Sequence, residues 1–99
     1  MNEKYLNKKV IVRGDRSGVF FGTLVAREGR EVELHDCRRL WYWDGAASIS
    51  QIAVDGVNHP KNCKFTIPVS EIILTDAIEI IPCTEKAIEV IEAVSEWKK

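Results

Sequence analysis

The chain has 99 residues, of which 45% are hydrophobic and 29% charged, a composition typical of one globular domain over residues 1–99 and not of a disordered chain. Its net charge of −1 argues against a general nucleic-acid binder, which carries a basic excess. No apolar run reaches the roughly 18 residues of a membrane span, and the first residues lack an apolar secretion signal, so we expect a cytoplasmic protein without membrane contact.

The first 43 residues predict three strands. Residues 9–13 alternate and are β-branched, residues 19–27 are mostly apolar, and residues 31–43 alternate again. Glycine-containing turns separate the three segments. Gly22, inside the second strand, predicts a bulge or a close backbone approach. A bulge near Asp36 would reverse the alternation of the third strand.

The next segment predicts a short helix inserted between strands. Residues 46–56 place small and apolar side chains on one helical face, with Asp44 or Ser48 as the N-cap and Gly56 at the end. Residues 63–75 then read as a strand that carries Pro68 at an edge position.

The C-terminal residues predict a last strand over 77–82 and a helix over 85–97, capped by Thr84. Lys98 and Lys99 follow at the negative end of that helix. The expected fold is α+β and β-rich. About five strands form a twisted sheet or a small SH3-like or Sm-like barrel, with the inserted helix and the C-terminal helix packed on it.

Catalytic and metal motifs are missing from the sequence. No phosphate loop, zinc motif or nucleophile–base pattern is present. Cys37, Cys63 and Cys83 have no CxxC spacing and predict reduced thiols. His35 and His59 lie far from any Cys pair. We therefore expect no enzyme activity, no catalytic residue, no cofactor and no metal site.

The segment RRLWYWDGAAS, residues 38–48, has the residue types that bind an anionic, planar ligand. Guanidinium groups pair with phosphate, and indole rings stack on nucleobases. Small residues at a helix start expose backbone N–H groups to an anion. The predicted ligand-binding residues are Arg38, Arg39, Trp41, Trp43, Gly45, Ala46 and Ser48.

Two other interpretations of this segment stay open. The aromatic residues would also seal the sheet against the helix, with the arginines paired to glutamates across a hairpin. Alternatively, Trp and Arg are typical of interface hot spots, so a homo-oligomer would bury them and build ligand pockets between subunits. Strand alternation places Trp41 and Trp43 on the polar face together with Arg39. We therefore expect the helix, a partner subunit or a ligand to cover that face.

Two family resemblances follow from these residues. Residues 9–36, with VIVRGDRSGVFFGTLVAREGREVELHD, resemble the opening of an Sm-like barrel, which implies an RNA-binding ring. Residues 38–53 (RRLWYWDGAASISQIA) and 79–87 (EIIPCTEKA) resemble a family of small phage and prophage proteins. That resemblance implies a phage origin and expression inside a bacterium.

Small phage proteins of this size include sponges for the nucleotide signals of bacterial defence systems such as CBASS and Thoeris. The leading expectation is a non-enzymatic, homo-oligomeric protein that sequesters a cyclic or ADP-ribose-type immune signalling nucleotide. The alternatives are an Sm-like RNA-binding ring, and a structural or adaptor phage protein with no small ligand. A nucleotide-cleaving enzyme is the remotest of the four.

Overall fold

The computed structural model describes residues 3–99, which fold into seven strands and two α-helices. The strands are β1 (Lys9–Gly14), β2 (Val19–Glu28), β3 (Glu31–Tyr42), β4 (Lys64–Thr66), β5 (Val69–Leu74), β6 (Ala77–Pro82) and β7 (Glu96–Trp97), and the helices are α1 (Ile49–Asp55) and α2 (Glu85–Ala93). Short 3-10 turns cover Glu3–Tyr5 and Pro60–Asn62. The predicted α+β class is confirmed. No described helix combines the length and apolarity that crossing a membrane requires.

One curled sheet contains all seven strands, in the order β6-β1-β2-β3-β4-β7, with β5 also paired to β3. The pairs are antiparallel except for β4 with β7. Within the described chain the sheet is not closed into a barrel, because β6 and β7 form the two ends of this order. The long strand β3 is central: β2 pairs with one of its edges, and β5 and β4 share the other.

The core has two apolar layers, one on each side of the sheet. Strand β1 shows the arrangement, since Val10 and Val12 pack on one side and Ile11 on the other. The inner layer is built from strand residues and includes Phe20, Leu24, Val32, Leu34 and Leu74. The outer layer lies between the sheet and the helices and includes Phe21, Leu40, Ile52, Phe65, Ala87 and Ile91. Both faces of β1 and β2 are therefore buried.

The paired strands β2 and β3 approach each other closely at Gly22, where the sequence predicts a bulge or a close approach. A Cβ atom there would lie 3.0 Å from the His35 carbonyl oxygen and 3.1 Å from Cys37 Cα. Opposite it, β3 shifts register relative to β2, and Asp36 adopts a φ of 52°. This is the predicted bulge: before it Leu34 faces the inner layer, and after it Leu40 faces the outer layer.

The prediction of a single strand over residues 63–75 is wrong. The chain forms β4 and β5 instead, with Ile67 and Pro68 between them. Proline lacks the N–H that a continuous ladder needs. This break, together with β7, raises the strand count from the expected five to seven.

The C-terminal helix is also shorter than expected. It begins after the Thr84 cap as predicted but ends at Ala93, and Glu96–Trp97 pairs with β4 as a strand. The predicted position of Lys98 and Lys99 at the helix end is therefore wrong. The guanidinium of Arg38 lies there instead and donates to the Ile91 carbonyl oxygen at 2.9 Å.

Candidate functional site

Arg38 is a buried structural residue. Its side chain is only 5% exposed. The guanidinium donates to four backbone carbonyl oxygens: Thr66 at 2.9 Å, Ile91 at 2.9 Å, Phe65 at 3.1 Å and Ser95 at 3.3 Å. Burial lowers the pKa of Arg38, and the nearby carboxylates Glu96 and Glu92 oppose that shift. The side chain therefore ties β3, β4 and the end of α2 together, and four of its five N–H donors are occupied.

A cavity of about 350 Å³ lies beside Arg38, at one end of the helix layer. Its charged lining comprises Asp36, Glu92 and Glu96 against Lys9 and Arg38. Lys9 already pairs with Glu92, with 3.3 Å between Nζ and Oε2. Three carboxylates against two cations disfavour a phosphate group in this cavity.

Arg39, the next residue, is exposed on the other side of β3. Its guanidinium carbon lies 4.6 Å from the centroid of the Phe20 ring, and Nη1 donates to the Ser17 carbonyl oxygen at 2.7 Å. Asp76 holds that turn by accepting hydrogen bonds from the Ser17 N–H, the Ser17 hydroxyl and the Arg16 N–H. The second predicted arginine is therefore exposed but held in position by the Phe20 ring and the Ser17 carbonyl oxygen.

Trp41 forms an exposed aromatic stack with Trp97. The ring centroids are 5.0 Å apart, the planes are inclined by 27°, and Trp41 is 57% exposed. The Lys64 ammonium lies 5.2 Å from the Trp41 centroid and 5.5 Å from the Trp97 centroid. Trp41 occupies a register shift between β3 and β4, where a bulge redirects a side chain. We call Trp41, Trp97 and Lys64 the aromatic face, and Arg39 lies two residues before Trp41 on β3.

Trp43 does not join the aromatic face. It is half-buried and packs against the outer apolar layer, as does Ala46. Gly45 has a φ of 92°, and a Cβ there would lie 2.6 Å from the Asn58 nitrogen. This glycine therefore serves a close contact between two loops, and its carbonyl oxygen accepts from the Asn58 N–H at 3.0 Å.

The first turn of α1 is capped by side chains of the same segment. Ser48 is its N-cap and accepts from the Gln51 N–H, while the Gln51 side chain accepts from the Ala47 N–H. The Ile52 N–H bonds to the Ser48 carbonyl oxygen. This mutual capping occupies the N–H groups of Ala47 and Gln51 within the chain. Of the seven predicted residues, Arg39, Trp41 and Ser48 are exposed, and Ser48 is used as the cap of α1.

Lys64 and Trp97 were missed by sequence reasoning. Trp97 fits the apolar stripe of the longer helix that the sequence predicts, and nothing local indicates that it leaves the helix to stack on Trp41. A second missed group joins Glu33 and His35 of β3 to Glu71 of β5, with their donor atoms within 4.8 Å of one another. Its signal is the Glu-x-His spacing, which places two side chains on one face of a strand.

Cys37, Cys63 and Cys83 are all free. Burial raises the pKa of Cys37 to about 12, against a smaller opposing effect of Arg39, and burial raises the pKa of Cys83 to about 12. Thiols with such pKa values are poor nucleophiles at neutral pH.

Residues 7–91 match the domain of unknown function DUF6948. None of the curated proteins matches the chain. The match spans the strands β1–β6, helix α1 and most of α2, and stops before Trp97.

Proposed function

The chain belongs to the DUF6948 family, and we propose that it is a non-enzymatic binding protein for a nucleotide. The observation that carries the proposal is the exposed stack of Trp41 on Trp97 with the Lys64 ammonium beside both rings. The ligand class is a planar base with phosphate, in a cyclic or ADP-ribose-type nucleotide.

The aromatic face offers the two interactions that such a ligand needs. A base stacked on the free side of Trp41 gains about 1–3 kcal/mol, and the neighbouring Trp97 holds the indole in one orientation. Lys64 and Arg39 supply positive charge, and Arg39 has N–H donors beyond the one used by the Ser17 carbonyl. In this proposal the other five predicted residues do not contact the ligand and instead support the fold around the aromatic face: Arg38, Trp43, Gly45, Ala46 and Ser48.

A second copy of the chain covers the aromatic face in this proposal. A single surface leaves the outer side of a stacked base in water, whereas ligand sites enclose most of the ligand. Exposed Trp41 and the exposed Arg39 are residue types enriched in interface hot spots. A homo-oligomer with the ligand between subunits satisfies both requirements.

The biological role that fits is sequestration. The resemblance of residues 38–53 and 79–87 to small phage proteins supports a phage-encoded protein acting in the bacterial cytosol. There it would withdraw an immune signalling nucleotide from a host defence system. Sequestration needs affinity and no nucleophile, and the high pKa values of Cys37 and Cys83 agree with that requirement.

Calorimetric titration with cyclic dinucleotides, cyclic trinucleotides and cyclic ADP-ribose isomers tests the proposal. We expect one class to bind, and Trp41→Ala to weaken it at least tenfold, because the stacking energy is lost. Tyr42→Ala is the matched control, since Tyr42 is adjacent and 49% exposed but lies outside the Trp41–Trp97 stack. It should bind within twofold of the unmodified protein.

Two outcomes would overturn the proposal. The first is that no nucleotide binds, while the protein forms oligomers that Trp41→Ala dissociates. That result identifies a structural or adaptor protein instead. Binding of single-stranded RNA with a steep salt dependence identifies the Sm-like alternative. Mass spectrometry of the incubated nucleotides checks for cleavage, and intact nucleotide is expected.

A further inference from the structure

Three metal-ligating side chains converge on the sheet far from the aromatic face. His35 Nε2 lies 2.7 Å from Glu33 Oε2 and 3.7 Å from Glu71 Oε2. The donor atoms of all three lie within 4.8 Å of one another. Ligand atoms around a tetrahedral metal ion at about 2.1 Å are separated by roughly 3.4 Å. The observed separations bracket that value, so small side-chain rotations would complete the geometry.

The backbone holds these ligands on a rigid platform. Glu33 and His35 are two residues apart on β3, and His35 is directly paired with Glu71 of β5. Alternate residues of a strand, and residues opposite each other on antiparallel strands, point to the same face. A metal at this place would therefore cross-link β3 and β5 without any backbone rearrangement.

Within residues 3–99, the histidine is the basic partner of the two carboxylates. Among the described residues, neither Glu33 nor Glu71 forms an ion pair with a lysine or an arginine. Elsewhere on the sheet, by contrast, Arg13 pairs with Glu79 and Lys9 with Glu92. Two carboxylates that converge without a neutralising cation repel each other, and a divalent cation between them removes that repulsion.

We propose that Glu33, His35 and Glu71 form a binding site for a divalent transition-metal ion of the zinc class. One imidazole nitrogen and two carboxylate oxygens suit Zn²⁺, Mn²⁺ or Co²⁺, whereas Mg²⁺ and Ca²⁺ prefer oxygen donors alone. Three protein ligands leave a coordination position open, for water or for a donor from another molecule.

The site is separate from the proposed nucleotide face. Trp41 follows His35 by six positions on β3, roughly 15–20 Å at the rise of a strand. The bulge at Asp36 also reverses the alternation, so His35 and Arg39 point to opposite faces. Metal binding and nucleotide binding can therefore be tested independently.

Titration calorimetry of the EDTA-treated protein with ZnCl₂ tests the site. We expect one Zn²⁺ per chain, with His35→Gln and Glu71→Gln each weakening the affinity at least tenfold. His59→Gln is the matched control, because His59 Nδ1 also contacts a carboxylate, Asp44 Oδ1 at 3.2 Å, whose other oxygen accepts a hydrogen bond from the Asn62 amide. It should bind Zn²⁺ within twofold of the unmodified protein, as should Trp41→Ala.

The imidazole C–H resonances of the two histidines provide the second measurement. Zn²⁺ should shift the resonances of His35 and leave those of His59 unchanged, and excess Mg²⁺ should not reverse the shift. Undetectable Zn²⁺ binding in the folded protein overturns the site, as does equal binding by His35→Gln. Circular dichroism in EDTA confirms that each variant is folded, which is expected for these partly exposed side chains.

Discussion

Arg38 and Arg39 are chemically identical neighbours on β3 with opposite roles. Arg38 is buried with four carbonyl partners, whereas Arg39 is exposed over Phe20 and donates to one carbonyl oxygen. The same division continues with Leu40 in the outer layer and Trp41 at the surface. Strand alternation thus divides one short motif into residues that hold the fold and residues that face solvent.

We expect the loss of the Arg38 side chain to have the largest effect on the free energy of unfolding. Arg38→Met would leave four buried or half-buried carbonyl oxygens without their donor and remove the cation at the end of α2. We expect the free energy of unfolding to fall by about 3–4 kcal/mol. Arg39→Met should cost about 1 kcal/mol or less, because its interactions are exposed. Urea denaturation of both variants measures the difference, and equal losses would contradict the division.

Leu40 and Trp41 extend the comparison to apolar residues. Leu40→Ala removes a side chain that is 3% exposed in the outer layer and should cost about 3 kcal/mol. Trp41→Ala removes the larger side chain, yet it should cost only about 1 kcal/mol, since the main loss is the exposed contact with Trp97. Thermal and urea unfolding test this ranking. A larger loss for Trp41→Ala would show that the aromatic face is structural and would weaken the nucleotide proposal.

The sequence predicts the parts of this division that depend on local pattern. Alternation, the bulge near Asp36 and the close approach at Gly22 all follow from residues within β2 and β3. It does not predict which arginine is buried, because that depends on the carbonyl groups at the end of α2. It also misses the stack on Trp97, since helix propensity continues past Ala93 while tertiary pairing with β4 ends the helix.

A smaller effect concerns the turn that positions Arg39. Three hydrogen bonds to the Asp76 carboxylate, from Ser17 and the Arg16 N–H, hold its pKa below the ordinary value of 3.8. A carboxyl whose pKa is lower in the folded state stabilises the fold above the unfolded pKa. That contribution is lost as the pH falls through the folded pKa.

Asp76→Asn should therefore lower the urea midpoint at pH 7 and differ less from the unmodified protein as the pH falls below about 4. Ser17→Ala, which keeps the carboxylate and both backbone donors, should show a smaller form of the same change. Because Ser17 also accepts from Arg39, Asp76→Asn should loosen Arg39 and weaken nucleotide affinity while Trp41 stays in place. A difference between the two proteins that is constant from pH 7 to pH 2.5 would show that the Asp76 charge does not hold this turn.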